Sequence, residues 1–184
     1  MAFVFDSTPK SETANSYVSV AEADDYFAAH LDGNFWPTDT KSKQAALVMA
    51  TNRIDSEVFG GRRTDLDQSL QWPRSWIVAR DFNPESQAVI NSVYSAAFLN
   101  ADVLPRQLKI AAYEQALHYL KMKAGEFTID ENDLETLSTY KVGPLDIGIK
   151  DNIKADRLPT KVKQQLKAIG PNAWDGDGAL RLVR

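Results

Sequence analysis

Between Pro105 and Lys123 the chain has no helix breaker, and its apolar residues surround the helix axis instead of lining one side. They are Leu108, Ile110, Ala111, Ala112, Tyr113, Ala116, Leu117, Tyr119 and Leu120. Pro105 suits the first turn, where its missing N–H is not needed. A helix this apolar has to be buried on several sides, by its own bundle or by neighbouring subunits. The other segments must therefore supply partners to a central helix. The expected fold is mainly α: a small helical bundle with a β-hairpin and an extended C-terminal tail.

The partners can be read from their caps and spacing. Ser19 followed by Glu22 forms a capping box, and Ala23, Tyr26 and Phe27 give the helix it opens one apolar stripe. This helix should end before Gly33. A second helix is expected over about 40–58, with Leu47, Ala50, Ile54 and Val58 on one face, stopped by Phe59-Gly60-Gly61. Gln71-Trp72-Pro73-Arg74 reads as a loop with Trp72 as a buried anchor, because proline keeps the preceding residue out of helical geometry. Residues 86–100 carry a weaker helical pattern in Val89, Val93 and Ala96 or Ala97. Leu145, Ile147 and Ile149 alternate with small or polar residues after Gly143-Pro144, which predicts a hairpin near 139–150. Leu158-Pro159 opens a last helix with Val162, Leu166 and Ile169 on one face, and Gly170-Pro171 closes it.

A chain of 184 residues is long enough for one ordinary core. The division expected is a flexible arm over 1–15, a helical domain over 16–170 and a docking tail over 171–184. No apolar run approaches the roughly 20 residues of a membrane helix, and the start lacks a basic stretch followed by an apolar one, so neither a membrane span nor a signal is expected. With no cysteine there is no thiolate nucleophile or Cys-ligated zinc. The charge is uneven: residues 1–140 hold 12 basic and 20 acidic side chains, and 141–184 hold 9 basic and 5 acidic. A basic segment on an acidic body suits an acidic protein surface or nucleic acid along one limited face.

Catalytic constellations are missing. His30 and His118 stand alone, and there is no HExxH, G-x-S-x-G elbow, phosphate loop or dinucleotide fingerprint. Asp175-Gly176-Asp177-Gly178 starts like a calcium loop but has Leu180 where the loop needs glycine, and the chain ends before a twelfth-position Glu. No enzymatic activity, metal or cofactor is expected. Single-strand nucleic-acid binding wants aromatics interleaved with basic residues, and Trp72 with Arg74, Trp76 with Arg80, and Tyr140 with Lys141 have that form. Without a stacking fold, each pair is better read as a core or loop anchor beside a basic side chain.

The order of several short motifs supports a resemblance. Ser16-Tyr17-Val18-Ser19-Val20-Ala21-Glu22-Ala23-Asp24, Lys43-Gln44-Ala45-Ala46-Leu47 into Arg53-Ile54-Asp55, Phe59-Gly60 before Arg62, and Gln71-Trp72-Pro73-Arg74 occur in sequence. Leu104-Pro105 and Val142-Gly143-Pro144-Leu145 follow. Together they resemble, over roughly 16–170, a tailed-phage family labelled DnaT-like single-stranded DNA-binding protein. Its members are similar to head-to-tail adaptor, or head-completion, proteins.

That resemblance implies a structural virion protein: a subunit of a ring, commonly a dodecamer, beneath the portal at the phage neck, assembled in the host cytoplasm. Its partners would be the portal protein, a downstream tail or neck protein and further copies of itself, with double-stranded DNA passing through unbound. Under that reading Trp174, Leu180 and Leu182 anchor the tail on the portal. Arg181 and Arg184 pair with acidic groups there, beside Lys163 and Lys167 of the last helix. Tyr113, Leu117, Leu145, Ile147 and Ile149 would meet neighbouring subunits. The alternative takes the family label literally, as a replication accessory that binds single-stranded DNA.

Overall fold

A computed structural model describes residues 3–80, 98–125 and 158–176, together with the main chain of a strand pair at 140–141 and 146–147. Among these residues four helices occur in the expected order: α1 (Val20–Ala28), α2 (Thr40–Asp55), α3 (Arg106–Lys123) and α4 (Thr160–Lys167). The long apolar helix is indeed the centre. α3 packs against both α2 and α4, and Leu108, Ala111, Ala112, Ala116 and Leu117 are all buried. Their small and branched side chains let neighbouring helices approach on more than one side.

α1 starts where its sequence places it. Ser19 accepts from the Glu22 N–H while Glu22 accepts from the Ser19 N–H, so two otherwise orphan donors are satisfied. Side chains tie the helix to α3: Lys109–Glu22 at 2.6 Å, the Tyr26 hydroxyl donating to Glu114 at 2.8 Å, and stacked Tyr26 and Tyr113 rings. Lys121–Asp32 at 2.8 Å fixes the segment that follows. α2 is capped by Asp39, which accepts from the Ser42 N–H, and buries Leu47, Ala50 and Ile54 as predicted. It stops at Asp55, so Val58 leaves the buried face and is exposed.

Within the flexible arm expected over 1–15, residues 3–15 are described and carry their own hydrogen-bond system. Asp6 accepts from Ser11 Oγ at 2.6 Å, Thr13 Oγ1 at 2.7 Å and the Thr8 N–H at 2.9 Å. Ser69 Oγ donates to the Ala14 carbonyl at 2.5 Å, and Ala14 is buried in the main core. Tyr17 then plugs the bundle: its N–H meets Thr51, and its hydroxyl donates to Asp55, which also accepts from the Gln71 N–H. Burial pushes the Tyr17 hydroxyl well above its ordinary value and raises the Asp55 carboxyl as well.

Two short antiparallel strand pairs complete the fold. β1 (Arg62–Arg63) pairs with β2 (Arg74–Ser75), with Arg62 opposite Ser75 and Arg63 opposite Arg74. β3 (Tyr140–Lys141) pairs with β4 (Asp146–Ile147), which is the hairpin read from the alternation at 145–149. The weak helical pattern over 86–100 is corrected at its end: Phe98 bridges Val78 in antiparallel fashion, and the Leu99 N–H donates to Ile77. Residues 86–97 lie outside the described residues.

Candidate nucleic-acid interface

The β1–β2 pair is held by a buried arginine. The Arg74 guanidinium donates to the carbonyls of Gly60 at 2.6 Å, Gly61 at 3.1 Å, Phe59 at 3.3 Å and Gln71 at 3.1 Å, and to Gln71 Oε1 at 2.8 Å. It gathers the carbonyls beyond the end of α2 and fastens them to β2. Gly61 has φ +65°, and a Cβ there would lie 2.2 Å from the Ser75 carbonyl oxygen, so this close approach requires glycine. Trp72 is buried edge-on to Phe59, with ring centres 5.7 Å apart. Neither Trp72 nor Arg74 can reach a ligand, and the structure assigns that pair to the core.

Trp76 is the opposite case. It follows β2 directly, has φ +67° and leaves 62% of its surface exposed, although Ile77 beside it is fully buried. A bulky aromatic in the left-handed region is an outlier that the surroundings must impose. Asn172 imposes it. Its Nδ2 donates to the Trp76 carbonyl at 3.0 Å, and its Oδ1 accepts from the Val78 N–H at 2.9 Å, gripping the chain on both sides of Ile77. The Trp76 ring meets Phe98 edge-to-face, with centres 5.5 Å apart and planes at 79°. Phe98 thereby steadies the indole by its edge.

Two exposed cations are neighbours of Trp76 in strand register and in sequence. Arg62 lies opposite Ser75 in the strand pair, Arg80 lies four residues beyond Trp76, and both are exposed with no ion pair among the described residues. An exposed indole steadied by a second ring, with exposed arginines at neighbouring positions, offers a surface for a base and its phosphates. Of the two aromatic–basic pairs whose side chains are described, only Trp76 with Arg80 has this character. Side chains of Tyr140 and Lys141 lie outside the described residues. Phe98 and Asn172 had no local signal, because each acts through a contact distant in the chain.

Of the residues expected to dock or assemble, the structure describes only some. Trp174 is folded onto its own chain: it bridges Phe59, its indole N–H donates to Glu57 Oε2 at 2.9 Å, and it is 9% exposed. Tyr113 and Leu117 are buried within the bundle, and burial pushes the Tyr113 hydroxyl up to about 12. Lys163 and Lys167 are exposed on α4. Leu180, Arg181, Leu182 and Arg184 lie outside the described residues, as do Leu145, Ile149 and the side chain of Ile147.

One other polar cluster resembles a catalytic set. His30 Nε2 lies 3.3 Å from Glu114 Oε1, which also accepts from Tyr26, while His30 Nδ1 accepts from the Asp32 N–H at 3.1 Å. Both histidine nitrogens are therefore engaged, and the cluster fastens the end of α1 to α3. Among the described residues no group of three or more His, Asp or Glu could hold a metal ion, and no helix is long and apolar enough to cross a membrane.

Comparison with known proteins adds one finding. A family model described as "Putative DnaT-like ssDNA binding protein" matches residues 1–184. No curated protein and no solved structure matches the chain. The whole-chain match overturns the expectation of a structural head-to-tail adaptor and fits the other reading of the same motifs, single-stranded DNA binding, better.

Proposed function

The chain belongs to the DnaT-like ssDNA-binding family, and on that premise we propose that it binds single-stranded DNA by stacking a base on Trp76. The observation that carries this reading is the exposed indole held at φ +67° by Asn172 and steadied by Phe98. Arg62 and Arg80 attract the flanking phosphates. Stacking needs a base free of its duplex partner, and any base has a face to stack, so binding is single-strand selective and tolerant of sequence. The protein acts by binding, without chemical turnover. Asp65 and Asp67 in the loop leaving β1 limit the basic face on that side.

Fluorescence anisotropy with a labelled oligothymidylate tests the reading. Trp76→Ala should weaken binding about five- to 150-fold, from roughly 1–3 kcal/mol per stacked base, while Trp76→Phe keeps most of it. Since the ring is largely exposed, neither variant should alter the melting temperature appreciably. Wild-type protein that fails to bind at low salt, or binds duplex as tightly, would refute the proposal.

A further inference from the structure

A cleft opens between the C-terminal half of α2, the α4 region and the segment that follows α4. Its volume is about 420 Å³, its walls are mainly polar, and Arg53, Glu57, Leu158, Lys163, Trp174 and Gly176 line it. Glu57 is the one acid in this lining, and both its oxygens are engaged: Oε1 with Arg53 at 2.6 Å and Oε2 with the Trp174 N–H at 2.9 Å.

The indole in this cleft is a wall and not a stacking plate. A Cβ at position 176 would lie 2.5 Å from the Trp174 ring, so the Gly176 main chain presses directly on it. The Lys167 ammonium sits 5.9 Å from the ring centre. With Trp174 covered in this way, the accessible chemistry is cationic. Lys163 stands on the cleft wall and Lys167 lies one turn further along the same face of α4. Among the described residues neither lysine meets a carboxylate.

One short segment joins the cleft to the stacking site. Asn172, which grips the main chain around Trp76, lies two residues before Trp174. We infer that the Lys163–Lys167 edge of this cleft is a phosphate subsite, receiving the phosphodiester backbone of the strand whose base stacks on Trp76. The inference rests on the single-stranded DNA reading above. It gives the strand a path from Arg62 and Arg80, over Trp76, to α4.

The test is the salt dependence of oligothymidylate binding by the full chain. Each phosphate neutralised on a single strand contributes about 0.7 to the slope of log K against log salt. Lys163→Gln with Lys167→Gln should therefore flatten the slope by about 1.4 and weaken low-salt binding, whereas the paired arginine variant should restore both. Both lysines are exposed, so the bundle is not disturbed. If the wild type binds and Trp76→Ala weakens binding but the glutamine pair leaves the slope unchanged, the subsite is refuted and the stacking site stands. Should the wild type not bind at all, the parent reading falls and takes the subsite with it. Inorganic phosphate alone is the second probe, at ionic strength matched with chloride. If it saturates the wild type, is lost in the glutamine pair and leaves their strand-binding slopes equal, the cleft serves free phosphate and the inference is overturned.

Discussion

Arg62 and Arg74 face the same strand pair and have opposite uses. Arg74 is buried with its donors spent on carbonyls and an amide oxygen, so its charge maintains the fold, whereas Arg62 is exposed and free to meet a phosphate. Burial, not residue type, separates the two. Asp6 shows the same principle among acids. Hydrogen bonds from Ser11, Thr13 and Thr8 hold its carboxyl well below the usual carboxylate range. A carboxyl lowered by folding stabilises the native state above its unfolded value near pH 4, and that contribution fades as pH falls toward the folded value. Asp6→Ala should therefore melt roughly 2–4 °C below wild type at pH 7, on the basis of about 1 kcal/mol of hydrogen bonding. Thermal melts at successive pH values should show that gap narrowing steadily below about pH 4. A gap independent of pH would mean that the carboxylate is not what holds the segment.

The elements divide into those written locally and those imposed from afar. α1 was legible because Ser19 and Glu22 are three residues apart, and α3 because its apolar surround has no other solution than burial. The hairpin followed from alternation at 145–149. What the sequence could not disclose is the conformation of Trp76, because the side chain that imposes it, Asn172, is 96 residues away. The same applies to Phe98, which read as part of a helix until its bridge to Val78 placed it beside the indole. The contact of Trp174 with Glu57 is hidden for a related reason: nothing near Trp174 in sequence announces Glu57 as a partner. Asn172→Ala isolates the imposed element. It removes two hydrogen bonds, should lower stability by about 1–2 kcal/mol, and should speed hydrogen exchange at the Val78 amide while leaving α1 and α3 protected. Binding should weaken several-fold with Trp76 still present; unchanged binding would show that the indole needs no such grip.

For the molecule as a whole, an acidic chain that binds DNA must confine the contact to a limited face. The described cations that meet this need lie along β1, the segment after β2 and α4, joined through Asn172. The α1–α3 side instead uses its charges internally, in Lys109–Glu22, Lys121–Asp32 and Lys43–Asp24. This partition gives the account its most direct test: ultraviolet crosslinking of the full chain to an oligothymidylate, with the attached peptide identified by mass spectrometry. The crosslink should fall on Trp76 or Phe98 and should be lost when duplex replaces the single strand. A crosslink confined to the α1–α3 side, at Trp36 for example, would contradict the account.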